Sequence, residues 1–235
     1  MNPYVAEFFG TMLLIILGDG VVAATLLKDT KSENAGWHTI VIAWGLAVTI
    51  CIYAVGRISE AHLNPAITIA LTLSGSFPLS KLAGYLAAQF AGAFVGAILV
   101  WVHYLPHWKN TDSEIKKLSV FCTSPAIRSV PNNLFSEIFG TLVLVLAILF
   151  IGANDFSEGL KPVVVGALIS MIGFSLGGTT GFAINPARDF GPRLAHFVLP
   201  IPGKGTSDWS YSWIPVVGPI IGGVLGVLLY NTLFI

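Results

Sequence analysis

The chain has 235 residues, with twelve basic and twelve acidic side chains; the resulting formal net charge of zero offers no basic field for nucleic acid. With 54% hydrophobic residues, 10% charged residues and a mean hydropathy of +0.80, it is far more apolar than a soluble domain, in which about a quarter of residues are charged. The composition excludes a soluble globular domain and points to an integral membrane protein, with ~20 apolar residues expected per spanning helix.

The first element is apolar from Tyr4 to Leu27. No basic residue precedes it in "MNPYVAEFF", and it is too long for a cleaved signal core, so a retained helix is expected. Long apolar segments follow at 38–57, 81–103, 133–152, 161–179 and 213–234, making six candidate spans. Two shorter apolar runs, 65–76 and 186–198, each reach only about half of a ~30 Å hydrocarbon core at ~1.5 Å per residue, which makes them candidates for re-entrant half-helices. The polar stretch 104–132 is expected to cap the outer face. Cys51 and Cys122 form neither a metal spacing nor a disulfide framework, so two unpaired thiols are expected. His103, His107 and His196 lack carboxylate or cysteine partners at ligand spacing, and no metal or cofactor is assigned.

Internal similarity explains the short runs. "AEFFGT" at Ala6–Thr11 recurs as "SEIFGT" at Ser136–Thr141, and Ala88, Gly92 and Gly96 match Gly218, Gly222 and Gly226 at the same offset. Asn64, Pro65 and Ala66 match Asn185, Pro186 and Ala187 at a shorter offset shared by Gly45 and Gly166. Each half holds three spans, an odd number, so the second half enters the bilayer from the opposite side. The expected fold is an all-α membrane protein of six transmembrane helices and two re-entrant half-helices. It forms one channel domain, 1–235, whose inverted repeats at about 1–103 and 133–235 are joined by the loop 104–132. In such folds broken helices from the two halves meet near the midplane. The small residues every fourth position serve close helix packing.

Asn-Pro-Ala is a helix start: Asn is a favoured N-cap, and proline's missing N–H costs nothing in the first turn. The Asn carbonyl oxygen caps free N–H groups while its amide nitrogen remains a donor. Two such starts entering from opposite faces bring Asn64 and Asn185 together with converging positive dipole ends, a site suited to neutral polar molecules and hostile to cations. A lone Asn-Pro would merely open a turn; two copies in inverted halves, each heading a half-length run, argue against that.

With both Asn-Pro-Ala boxes, "AEFFGT" near the start and "NPARDFGPR" near the end, the chain resembles the major intrinsic protein family over nearly its whole length. Its likeness is to the aquaglyceroporin branch, as in bacterial glycerol facilitators. The resemblance implies a homotetramer in the cell membrane, cytoplasmic termini and one pore per subunit. It also implies a narrowest constriction formed by Trp44, Gly173, Phe182 and Arg188. Water-selective members carry a histidine where Gly173 stands and a small residue where Phe182 stands. Trp44 and Phe182 would therefore form an apolar corner opposite the arginine, suited to a polyol's carbon edge. An unpaired charge at the depth of Arg188 costs roughly 2.5–3.5 kcal/mol, so it is expected to face a wet pore. Ala61, His62 and Leu63, and Thr180, Gly181, Phe182 and Ala183, are non-helical stretches whose carbonyls are tolerated where they line a cavity.

Asp189 is a mark of the glycerol-conducting branch. The family places His62 at the pore's cytoplasmic side, and a loop-bracing hydrogen bond is compatible with that. Glu7 and Glu137 are matched carboxylates, read either as proton relays or, as the resemblance implies, as supports for the backbone before each half-helix. Asp19 stands where glycerol facilitators carry an apolar residue, and is expected to face the outer vestibule, an interface in the tetramer, or a helix neighbour that keeps it protonated. Glu60 replaces a small residue ahead of the first box, as a solvated charge or an acidic mouth. Arg57, Lys81 and Lys161 fall in loops placed inside, whereas Lys28, Lys31, Lys109, Lys116, Lys117 and Arg128 fall outside; the positive-inside count opposes this orientation, which rests on the resemblance.

The functional expectation is a passive channel for glycerol, water and other small neutral solutes that excludes protons and ions. An ion-coupled secondary transporter, which also uses inverted repeats and broken helices, is the alternative. An adhesive membrane protein and an enzyme find little support, since the chain offers neither large outer loops nor a nucleophile–base constellation.

Overall fold

The computed structural model describes residues 2–234. It is all-helical among those residues: α1 (Pro3–Leu26), α2 (Trp37–Ser59), α3 (Pro65–Leu73), α4 (Leu79–His103), α5 (Leu105–Trp108), α6 (Glu114–Phe121), α7 (Val130–Gly152), α8 (Leu160–Ser175), α9 (Pro186–Val198) and α10 (Ile214–Phe234). Five helices, α1, α2, α4, α7 and α10, are long and apolar enough to cross a membrane. The sixth, α8, has 16 residues and stops at Ser175 rather than near 179. The difference follows from Gly177 and Gly178, poor helix formers just past Ser175 that let the chain turn towards the second box. The first half-helix is likewise shorter than its apolar run, ending at Leu73, and the stretch 104–132 is not wholly loop, since it contains α5 and α6.

The packing has a twofold pattern. α1 lies against α4 as α7 lies against α10, and half-helix α9 rests on α4 as α3 rests on α10. α2 and α8 cross each other at the centre, where the matched glycines meet. A Cβ added at Gly45 would stand 2.5 Å from the Gly166 carbonyl oxygen, and one at Gly166 the same distance from the Gly45 oxygen. Thr49 Oγ1 donates to the Gly45 and Pro162 carbonyls at 3.1 and 3.3 Å, and Ser170 Oγ to Val41 O at 3.3 Å. In lipid, where burial of apolar surface does not drive helix association, backbone proximity and such hydrogen bonds take its place. Gly92 and Gly222 allow the α1–α4 and α7–α10 contacts in the same way, with Met12 N and Leu142 N at 3.1 and 3.0 Å from their virtual Cβ atoms.

The outer surface is studded with exposed large apolar side chains, among them Leu46, Ile50, Phe135, Met171 and Leu228, as a lipid-facing bundle requires. The polar and charged side chains Glu7, Asp19, Gln89, Glu137, Asp189 and Arg193 are instead fully buried inside it. Cys51 and Cys122 are unpaired and buried, and burial pushes the Cys122 thiol well above the usual thiol range.

Gly45→Val or Gly166→Val is expected to force α2 and α8 apart, at an overpacking cost of about 1–3 kcal/mol or more. Gly20→Ala, with nothing within 4 Å of the new methyl, is expected to stay within about 0.5 kcal/mol. Thermal unfolding of the purified variants in one detergent measures both.

Candidate conduction site

The site begins with two helix N-termini. Asn64 caps α3, its Oδ1 accepting from Ala66 N at 2.9 Å; Asn185 caps α9, its Oδ1 accepting from Ala187 N at 3.0 Å and Arg188 N at 3.2 Å. Each amide nitrogen then reaches across to the other repeat. Asn64 Nδ2 donates to Ile184 O and Asn185 Nδ2 to Leu63 O, both at 2.8 Å. Since Ile184 and Leu63 immediately precede the two asparagines, these crossed bonds lock the boxes to each other. Each Nδ2 carries a second N–H that these bonds leave free.

The chain leading to each box is irregular. Ala61, Leu63, Phe182 and Ile184 all have positive φ (52°, 54°, 42° and 44°), a region that costs a side-chain-bearing residue strain. A buried carboxylate holds each stretch. Glu7 Oε1 accepts from Ser59 Oγ at 2.6 Å and His62 N at 3.0 Å, and its Oε2 from Leu63 N at 2.7 Å and Gln89 Nε2 at 2.8 Å. Glu137 Oε1 accepts from Thr180 Oγ1 at 2.7 Å and Ala183 N at 3.1 Å, and its Oε2 from Ile184 N at 2.9 Å. With their N–H groups taken on this side, the two loops line a cavity with Ala61, His62, Leu63, Phe182, Ala183 and Ile184.

The cavity has a volume of about 990 Å³ and runs along α2 from Trp44 to Arg57, a rise of ~20 Å. Trp44, Phe182 and Arg188 line it near one end, Asn64 and Asn185 its middle, and Tyr53, Arg57, Glu60, Glu158 and Lys161 the other end. Leu14, Val48, Ile52, Ile67, Leu144, Ile148 and Ile169 supply an apolar wall. The site is thus amphipathic: Asn64, Asn185, Arg188 and the two irregular loops line it together with aliphatic and aromatic carbon.

Two features of the constriction differ from the expectations above. Arg188 is not an unpaired charge opposite the aromatics. Its guanidinium carbon lies 4.4 Å from the centroid of the Trp44 ring, Nη1 donates to Phe121 O at 3.3 Å, and Nη1 is 3.4 Å from Asp19 Oδ1. Gly173 does not line the cavity. A Cβ there would be 2.8 Å from Val41 Cγ1 and 3.0 Å from Phe182 Cζ, so the missing side chain seats the Phe182 ring. Thr180, Gly181 and Asp189 also stand off the cavity. Asp189 is buried against Arg193, which donates from Nε at 2.8 Å and Nη2 at 3.1 Å, and against Thr123, whose N and Oγ1 donate at 2.8 and 2.7 Å. Through Arg193 Nη1 to Ser207 O at 2.9 Å, it ties the segments around 123 and 207 to α9.

The pattern that defines the Major intrinsic protein family matches residues 1–230. The chain belongs to the major intrinsic protein family. It is 63% identical over 234 residues to the probable glycerol uptake facilitator protein of Thermotoga maritima, with both chains fully covered. It is 57% identical over 234 residues to the glycerol uptake facilitator protein of Bacillus subtilis, covering all of this chain and 85% of that one. Among solved structures, the aquaglyceroporin from Plasmodium falciparum matches with a TM-score of 0.86 and 33% identity, over 98% of this chain and 95% of that one. Like the rest of its family, the chain is a multi-pass membrane protein with the aquaporin fold.

Within this major intrinsic protein several contacts at the site had no forewarning in the sequence. Asp19 stands beside Arg188, and nothing in the spacing of residues 19 and 188 signals that meeting. Trp37 Nε1 donates to Gly173 O at 3.3 Å while its ring meets Phe182 edge-on at 5.7 Å, which buttresses the aromatic corner. Gln89 joins Glu7 to Thr68 Oγ1 at 2.9 Å. A lone amide inside an apolar span was the available signal for it. His62 lines the cavity with its ring packed on Phe77 and Tyr85 and its Nδ1 3.2 Å from Thr68 Oγ1.

Glu137→Gln exchanges one acceptor for a donor where three protein donors converge. It is expected to cost about 1–3 kcal/mol, the penalty of an unsatisfied buried group. Thermal unfolding, together with faster hydrogen exchange at Ala183 and Ile184, checks this.

Proposed function

We propose that this chain is a passive channel through which glycerol and other small neutral solutes, with water, cross the cell membrane while protons and other ions are excluded. The observation that carries the reading is the cross-locked pair of half-helix N-termini at the middle of an amphipathic cavity whose far end is lined by Phe182 and by Arg188 lying over Trp44. A neutral hydroxyl accepts from Asn64, Asn185 and Arg188 in turn, and its own protons find loop carbonyls. A cation meets two positive dipole ends after losing its hydration. The carbon edge of a polyol rests on the Trp44–Phe182 corner, which water by itself does not use. Gly173 contributes by letting Phe182 take that place. Glycerol as the substrate is supported by the glycerol uptake facilitators among the bacterial relatives and by the aquaglyceroporin likeness.

The same reading has residues 1–235 acting as one transmembrane channel domain, with inverted repeats at about 1–103 and 133–235 joined by 104–132. It has Glu7, Glu137 and Asp189 as supports, the chain as a homotetramer with one pore per subunit, and both termini on the cytoplasmic side. Among the described residues an ion-coupled transporter finds no free carboxylate in the buried middle of the path: Glu7 and Glu137 are held by buried donors, Asp19 lies behind Arg188, and Glu60 and Glu158 stand only at the exposed end.

Vesicles bearing the protein are expected to swell in glycerol several-fold faster than empty ones, with flux linear in gradient and indifferent to imposed ion gradients. Swelling in water alone, or flux that follows an ion gradient, refutes the reading. Trp44→Ala removes an aromatic–guanidinium contact worth about 0.5–2 kcal/mol, and so should change the glycerol-to-water permeability ratio by about 2- to 30-fold.

A further inference from the structure

Asp19 has no role in the pore as described so far, yet it is the least comfortable group in the molecule. Its side chain is fully buried in α1, and neither carboxylate oxygen has a hydrogen-bond partner among the described residues. Its charged neighbour is the Arg188 guanidinium, 3.4 Å from Oδ1. The other buried acids nearby are committed elsewhere: Glu7 and Glu137 to the loop N–H groups, Asp189 to Arg193 and Thr123. Asp19 does not line the cavity, whereas Arg188 does. The carboxylate therefore sits on the protein side of the arginine and acts on solutes through it.

Electrostatics at the constriction call for such a group. Arg188 lies in the first turn of α9, so its charge adds to the positive end of that helix, and α3 directs a second positive end at the same cavity. Convergent helix N-termini with a guanidinium make an attractive site for an anion. A channel built that way would exclude cations but hold or pass small anions. A carboxylate against the guanidinium offsets the excess in a low-dielectric setting, where screening is weak. It leaves the donors in place: among the described residues no protein acceptor takes Arg188 Nε or Nη2, while Nη1 is used by Phe121 O.

We infer that Asp19 is the counter-charge of Arg188 and a specificity-determining residue: the arginine turns away cations, Asp19 keeps the arginine from admitting anions, and only neutral solutes find the constriction flat. The inference rests on the channel reading above. Asp19 is a positioning residue in this role, because it touches Arg188 and not the solute.

The test is a charge cycle in vesicles containing the wild-type chain, Asp19→Asn, Arg188→Val and the double variant, with diffusion potentials read for nitrate and for potassium. Neither ion titrates, so no neutral form confuses the result. Wild type is expected to pass neither. Asp19→Asn should raise nitrate permeability several-fold, Arg188→Val should raise potassium permeability, and the double variant should fall back towards wild type for both ions. A merely structural Asp19 would loosen the pore to both ions alike and would not produce opposite signs. Nitrate permeability unchanged in Asp19→Asn, or as high in the double variant as in the single one, overturns the inference. If Asp19→Asn does not assemble, Asp19→Leu takes its place; potassium leak through Arg188→Val that persists when Asp19 is also replaced is then the overturning result. Glycerol swelling of the wild-type vesicles is scored separately: its absence removes the glycerol reading, while the charge cycle still decides what Asp19 does.

Discussion

Backbone amides inside a membrane have no water to turn to, and each one left unpaired costs several kcal/mol. A pore that uses backbone carbonyls must expose them on one side of a non-helical strand while finding partners for the N–H groups on the other. Here two carboxylates solve the problem: Glu7 takes the N–H groups of His62 and Leu63, and Glu137 those of Ala183 and Ile184. The crossed asparagine bonds then hold the strands against each other. Everything else at the site, from the strained φ values to the placing of Arg188, presupposes that arrangement.

The two halves share this scheme but finish it differently. In the first, Gln89 and Ser59 complete the ring around Glu7, and the histidine before the box packs on Phe77 and Tyr85. In the second, a threonine completes the ring around Glu137, and the residues after the box carry charge: Arg188 into the cavity, Asp189 to Arg193. The charged and aromatic groups are therefore concentrated at one end, where a guanidinium stacked on tryptophan shares the cavity lining with a phenylalanine seated by a missing side chain. Fold symmetry builds the cavity; departures from symmetry set the chemistry of its lining at that end. The rigid tie from Asp189 through Arg193 to the segments around 123 and 207 keeps that end in register with the long connection between the repeats.

Much of the fold was legible because the bilayer imposes length and apolarity on any span, and because a duplicated Asn-Pro-Ala heading a half-length run has few structural meanings. The six spans, the two half-helices and the matched Gly45 and Gly166 follow from those constraints. The end of α8 was not legible: apolar residues continue past Ser175, and hydropathy does not report where glycines let a helix stop. The short helices α5 and α6 were hidden in a polar stretch for the converse reason: only Trp108 in α5 and Leu118, Val120 and Phe121 in α6 bury apolar side chains, among charged and polar neighbours that leave the average polar.

From its residues alone this chain determined its membrane setting, its inverted halves and the chemical types that gather at the constriction, because periodicity, apolar length and capping chemistry are local properties of a sequence. Only the tertiary structure decided which of those residues meet. That Arg188 lies on Trp44 with Asp19 behind it, that Gly173 seats Phe182 rather than opening the cavity, and that Gln89 shares Glu7 with two backbone amides are contacts between helices far apart in the chain. Their physical basis is the close crossing of helices at small residues, which sets distances that no spacing along one strand of sequence encodes.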